Sequence, residues 1–273
     1  MTAENPAIAA RGLTKRFGRT TVVDGVDLSI QQGSIFGFLG PNGAGKTTTI
    51  RMLTGLTTPT SGEATVCGTP VTDRASLRAH VGFLPEEPPV FDELTGYEQL
   101  QYFGRLRGLT ADERDERIRY WLDRFDLTDD ADVRIDDYSK GMRQKVGLIQ
   151  ALLAEPSVLF LDEPTSGLDP RAARTVTDVV ADQAAAGRTV FLSTHILPVV
   201  EDLADVVGVL HQGRIVEEGE PAALVDRAAS GEDASLEDVF LAVTTDRTEG
   251  RPVSKMAADN VDSVREHTAR DHD

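Results

Sequence analysis

The segment Gly40-Pro-Asn-Gly-Ala-Gly-Lys46-Thr47 constrains the chain more than any other. It reads glycine, four residues, then Gly-Lys-Thr. An apolar run, Ser34–Leu39, precedes it and a helical stretch, Lys46–Leu53, follows. Glycines let the backbone curl until several N–H groups converge on one point. The start of the following helix adds a partial positive charge there. Strand, glycine loop and helix in this order describe a loop that cradles phosphate, contributed by Gly40, Pro41, Asn42, Gly43, Ala44, Gly45, Lys46, Thr47 and Thr48. Lys46 would reach the β- and γ-phosphates, and the Thr47 hydroxyl would ligate Mg²⁺.

A second element fits the first. Val158-Leu-Phe-Leu161 is an apolar run that ends in Asp162-Glu163. In open α/β sheets ligands collect at the carboxyl ends of the strands, which is where these two acids fall. Asp162 is expected to hold Mg²⁺, directly or through a water. Glu163 is expected to orient or deprotonate an attacking water.

The remaining pattern gives the fold class. The runs Ser34–Leu39, Ser157–Leu161 and Thr189–Ser193 have the length and continuous hydrophobicity of parallel strands covered on both faces. Polar or glycine-rich turns and helical stretches follow them, so the class is α/β with a mostly parallel sheet. Ala7–Leu13, Thr21–Ile30 and Gly62–Val66 alternate instead, and predict a small antiparallel layer. Glu98–Leu106, Asp112–Phe125 and Gly141–Leu153 carry helical spacing, which predicts a helical subdomain inserted at about residues 87–154. Thr245–Asp273 is polar and nearly free of aromatics, and is expected to be a disordered tail.

Composition excludes several classes. With 40% hydrophobic residues over 273 positions, the chain can bury a substantial core. Cys67 has no second cysteine to pair with. No apolar run is long enough to span a membrane, and Met1–Arg11 lacks the pattern of a signal peptide, so a cytoplasmic chain is expected. The formal net charge of −17 argues against nucleic acid as a partner. Two origins of that charge stay open: adaptation to a salty cytoplasm, or a genome rich in Arg and Asp codons. Loss of activity on removing salt selects the first, and full activity in dilute buffer selects the second.

Further along, the chain carries Tyr138-Ser139-Lys140-Gly141-Met142, then Leu161-Asp-Glu-Pro-Thr-Ser-Gly-Leu-Asp169-Pro, then Ser193-Thr-His195. In this order after the phosphate loop, over roughly residues 7–242, the motifs resemble the ATPase subunit of ATP-binding cassette transporters. The resemblance implies a P-loop NTPase core and ATP and Mg²⁺ as ligands. It implies a head-to-tail dimer, with itself or with a related cassette, and a separate membrane permease that holds the chain at the inner face of the membrane. Position by position, it implies adenine stacking for Phe17, with a core aromatic as the alternative. Ser139 and Gly141 fall on the signature that contacts ATP held by the opposite subunit, and Ser139 can also be a plain helix cap. Asp169 falls on the loop that touches the partner near the nucleotide, and His195 on the switch histidine facing the γ-phosphate.

Two positions depart from the pattern. Glu86 stands where the family usually has Gln, at the loop between core and insertion. A carboxylate there can still ligate Mg²⁺. The signature reads Ser-Lys-Gly-Met, where Lys140 either faces phosphate or is solvated. This form, and Leu236-Glu-Asp-Val-Phe240, resemble subunits that export drugs, sodium or polysaccharide. The same region of the family, here Glu86–Phe91 with Tyr97, Tyr102 and Phe103 nearby, receives a short helix of the membrane subunit. Most of these aromatics are expected to pack the insertion, with one or two lining the groove. Cassettes of DNA repair or translation, and regulatory nucleotide binders, are the alternatives. Repair relatives have a long coiled coil before the signature, and no heptad run lies between Lys46 and Ser139. Lys46, Asp162, Glu163 and His195 argue against a non-hydrolysing binder.

Overall fold

The computed structural model describes residues 6–228 and 235–245. Its strands are β1 (Ile8–Phe17), β2 (Thr20–Ile30), β3 (Ile35–Leu39), β4 (Ser61–Val66), β5 (Thr69–Pro70), β6 (Val81–Leu84), β7 (Val158–Asp162), β8 (Thr189–Ser193), β9 (Val206–His211) and β10 (Arg214–Gly219). Its helices are α1 (Lys46–Leu53), α2 (Arg74–Leu77), α3 (Gly96–Leu106), α4 (Ala111–Arg124), α5 (Lys140–Leu152), α6 (Pro170–Ala185), α7 (Leu197–Leu203), α8 (Pro221–Ala228) and α9 (Leu236–Thr245).

The strands form two sheets. One is antiparallel, in the order β2-β1-β4-β5. In β2 the buried Val26, Leu28 and Ile30 alternate with the exposed Gly25, Asp27 and Ser29, as one-sided burial demands. The other runs β10-β9-β3-β8-β7-β6 and is parallel except at its β10 edge. Every residue of β3, β7 and β8 is buried, which explains their uninterrupted apolar sequence.

Register then decides where the chemistry falls. Phe83, Phe160, Phe191 and Phe36 occupy one row across four neighbouring strands. Phe191 lies at the centre, 5.3 Å from Phe36, 5.1 Å from Phe38 and 5.5 Å from Phe160 between ring centroids. The same row aligns the strand ends, pairing Asp162 with Ser193 and Phe38 with Ser193. The loops at Pro85–Glu86, Glu163, Thr194–His195 and Gly40–Gly45 therefore leave the sheet along one edge. Phe191→Ala should lower unfolding free energy by about 3–5 kcal/mol, because this fully buried ring cannot be replaced by collapse of its neighbours. Urea denaturation monitored by circular dichroism checks this.

Three helices, α3 to α5, lie between β6 and β7, and no strand is found there. Two of them begin with reciprocal capping boxes, Thr95 with Glu98 and Thr110 with Glu113. Their apolar faces join the second face of the parallel sheet in one core that includes Leu100, Trp121, Ile149, Leu161 and Leu192. Cys67 falls in the turn between β4 and β5, with a left-handed backbone at φ 49°, and packs partly buried on the core shared by the antiparallel sheet, α1 and the other face of the parallel sheet. The C-terminal expectation needs adjustment at its start. Thr245 closes α9, and residues 246–273 lie outside the described residues.

Candidate nucleotide site

The glycine loop is built by close approach. A Cβ on Gly40 would meet the Leu210 carbonyl oxygen at 2.4 Å. Gly45, at φ 111°, leads into α1, and a Cβ there would meet the Val22 carbonyl oxygen at 2.7 Å. No side chain caps α1. Its first-turn N–H groups, which have no intrahelical acceptor, are therefore available to an anion. They open into a cavity of about 370 Å³ lined by Pro41, Asn42, Gly43, Gly45, Lys46, Thr47 and Thr48 of the loop, and by Glu86, Asp162, Glu163 and His195. Val22, from the antiparallel sheet, completes the lining.

Inside the cavity the charges are tightly arranged. Lys46 is buried, and its Nζ donates to the Gly40 carbonyl at 2.6 Å and lies 3.9 Å from Glu163 Oε1. Glu163 is 6% exposed and adopts a left-handed backbone at φ 52°, a conformation that costs free energy for a residue with a side chain. Its N–H donates to the Ser193 carbonyl at 2.8 Å. Its Oε2 accepts from the Thr194 hydroxyl at 3.2 Å and lies 2.9 Å from His195 Nδ1. Burial pushes the Asp162 carboxyl above its ordinary pKa and adjacent Glu163 adds to this, while the hydroxyls of Thr47 and Ser193 and the Lys46 ammonium pull it down.

Asp162 Oδ2 and Ser193 Oγ are fully buried; the Ser193 hydroxyl lies near the Asp162 carboxyl, yet neither of these two atoms completes a hydrogen bond of good geometry. An uncompensated buried oxygen is costly. The donors here are hydroxyl and carboxylate oxygens, the set that suits Mg²⁺. Among the described residues no group of three or more carboxylates, histidines or cysteines could hold a metal by itself.

The other candidate residues lie elsewhere. Phe17 ends β1 and is 54% exposed, with Lys15 Nζ 5.1 Å from its ring centroid. Ser139 caps α5, accepting from the Met142 N–H at 3.2 Å. Gly141 leaves the first turn of α5 open, with only Leu168 Cδ2 at 3.4 Å and Ser139 Oγ at 3.8 Å from a Cβ built there. Lys140 is exposed and lies along Gly167. Asp169 caps α6, and the Ala172 N–H at 2.9 Å holds its carboxyl below the usual range. None of these lines the phosphate cavity; Ser139 and Asp169 present capped helix starts to solvent. Of the insertion aromatics, Phe91 and Tyr102 are exposed, and Tyr97 bonds Asp115 through its hydroxyl.

Two contributors escaped sequence reasoning. Thr194 sits inside a quoted motif, yet only the sheet register brings its hydroxyl to Glu163. Val22 belongs to a different sheet and carries no local signal.

Comparison with known proteins agrees with this geometry. The profile of the ABC transporter family matches residues 23–166. The Nod factor export ATP-binding protein I of Cupriavidus metallidurans is 41% identical over 79% of this chain and 72% of its own length. The daunorubicin resistance ATP-binding protein DrrA3 of Streptomyces coeruleorubidus is 42% identical over 78% of this chain and 68% of its own length. A solved structure described as the ATP binding subunit of an ABC transporter superposes with a TM-score of 0.81 at 31% identity, covering 87% of this chain and 99% of that one. With its P-loop NTPase core and these relatives, the chain belongs to the ABC transporter family.

Proposed function

We propose that the chain binds and hydrolyses ATP and powers export through a separate integral-membrane subunit. The observation that carries this reading is the single cavity that unites the phosphate loop, Lys46, Asp162, Glu163 and His195. In this reading residues 7–242 form one nucleotide-binding domain with the helical segment 87–154 inserted. The loop N–H groups and Lys46 hold the β- and γ-phosphates. Thr47, Asp162 and Glu86 hold Mg²⁺, which neutralises phosphate charge when bound. Glu163 accepts the proton of the attacking water at Oε2 or Oε1, and Thr194 and His195 fix the carboxylate in place.

Phe17, exposed at the end of β1, stacks on adenine. Ser139, Gly141 and Asp169 face outward, so they serve the nucleotide of a second cassette, identical or related. The start of α5 presents its remaining N–H groups to that γ-phosphate. Export is supported by the names of the relatives, which concern Nod factor export and daunorubicin resistance. No helix among the described residues is long and apolar enough to cross a membrane, which fits a chain placed at the inner membrane face by its partner.

Isolation of the tagged chain from detergent-solubilised native membranes tests the reading. A multi-span protein in equal amount is expected; an active ATPase with no such partner overturns it. Glu86→Gln should raise the Mg²⁺ concentration needed for half-maximal hydrolysis several-fold, since a neutral amide is a weaker ligand than a carboxylate. An unchanged Mg²⁺ titration removes Glu86 from the metal site.

A further inference from the structure

Among the described residues two helices begin on a lysine, α1 with Lys46 and α5 with Lys140, and the first turn of neither carries an acid. A cation is ordinarily unfavourable at that place, because the helix start is itself positive. At α1 the arrangement serves the phosphate cavity. Lys140 has no such use inside its own chain. Lys15, Lys46 and Lys145 each donate to a backbone carbonyl, those of Thr58, Gly40 and Phe125. Among the described residues Lys140 finds neither a hydrogen-bond acceptor nor a carboxylate.

The stem of this lysine is nevertheless held. A Cβ on Gly167, at φ 73°, would meet Cδ, Cε and Nζ of Lys140 at 3.0 Å, so the side chain lies flat over that glycine. The contact is reciprocal: Leu168 Cδ2 lies 3.4 Å from a Cβ built on Gly141. Gln144 Nε2 adds a hydrogen bond to the Pro164 carbonyl at 3.4 Å. The start of α5 and the loop from Pro164 to Asp169 therefore interlock, and they expose Ser139, Lys140 and Asp169 on one surface. A stem already held in the free chain has less rotamer freedom to lose when its ammonium meets a ligand.

The phosphate cavity, for its part, is short of positive charge. Glu86, Asp162 and Glu163 line it against the one ammonium of Lys46 among its described residues. Glu86 and Lys140 are the two positions that depart from the family pattern, and their charges are opposite. We propose that Lys140 of one cassette donates from Nζ to the γ-phosphate held on the loop of the other, and offsets across the interface the negative charge that Glu86 adds there. The proposal rests on the reading of two paired cassettes and adds a charged contact to the Ser139 and Gly141 start of α5. An ammonium meets phosphate as a compact point charge, and such charge-assisted hydrogen bonds are the stronger kind.

The test uses the full chain carrying Glu163→Gln, with Mg²⁺ and ATP, followed by sedimentation velocity. Lys140→Met keeps an unbranched stem over Gly167 and removes the charge. It should raise the dimer dissociation constant about tenfold or more, because each dimer loses two charge-assisted contacts. Lys140→Arg should keep most of the dimer, and Lys140→Glu should abolish it. Added KCl should weaken the Lys140 dimer more steeply than the Lys140→Met dimer, since salt screens an ionic contact. ATP affinity measured on the monomer should be the same throughout, because Lys140 does not line the phosphate cavity. An unchanged constant and salt slope in Lys140→Met overturn the proposal. Equal losses in Lys140→Met and Lys140→Arg overturn it too, because the charge then contributes nothing. A loss in Lys140→Gly with none in Lys140→Met also overturns it and reduces Lys140 to packing on Gly167. A Glu163→Gln chain that stays monomeric at saturating ATP contradicts the paired cassettes themselves, a different result from a dimer indifferent to Lys140.

Discussion

Replacing Glu163 by Gln should leave ATP binding intact and cut turnover by roughly 10²–10⁴-fold, the usual contribution of a positioned general base. The shape of the site is preserved by the change, since an amide fills the same volume and can still accept from Thr194. What is lost is the capacity to take a proton beside His195 and 3.9 Å from Lys46. The strained backbone at Glu163, φ 52°, is held by the hydrogen bond to the Ser193 carbonyl and does not depend on the side-chain charge. Nucleotide titration by fluorescence together with phosphate release separates the two effects. Normal turnover would remove Glu163 from the role of base.

The largest loss of binding is expected from Lys46→Ala. Lys46 is 7% exposed and is the one cation lining the phosphate cavity among its described residues. Glu86, Asp162 and Glu163 line the same space, so removing the ammonium leaves their charge to repel the phosphates. A charge-assisted hydrogen bond contributes about 1.5–3 kcal/mol, which alone lowers affinity roughly 10- to 150-fold, and the repulsion adds to this. Isothermal titration with ATP should show no measurable binding at micromolar nucleotide. Unchanged affinity would defeat the assignment of the phosphate loop.

Much of this site was legible before any coordinates. The phosphate loop and Asp162-Glu163 are contiguous in sequence, and their chemistry follows from residue type and the strand that precedes them. The three central strands were legible because burial on both faces leaves no polar interruption. β6, β9 and β10 were not read: β6 is only four residues long and β10 is only partly buried, while β9 does carry an apolar run, Val206–Leu210, that went unread. The contact of Glu163 with His195 spans 32 positions and exists only because Asp162 and Ser193 share a register. Most of the insertion aromatics were expected to pack its core, but Phe91 and Tyr102 are exposed, and periodicity did not say which would be.

The central claim is that one chain holds only half of each working site, with Lys46 and Glu163 in one cassette and Ser139 in the next. Sedimentation velocity of the Glu163→Gln chain, with and without Mg²⁺ and ATP, tests it most directly. The account predicts a monomer that becomes a dimer when ATP is added, and a Glu163→Gln, Ser139→Arg chain that binds ATP and stays monomeric. A Glu163→Gln chain that saturates with ATP as a monomer, or a dimer indifferent to Ser139→Arg, would contradict it.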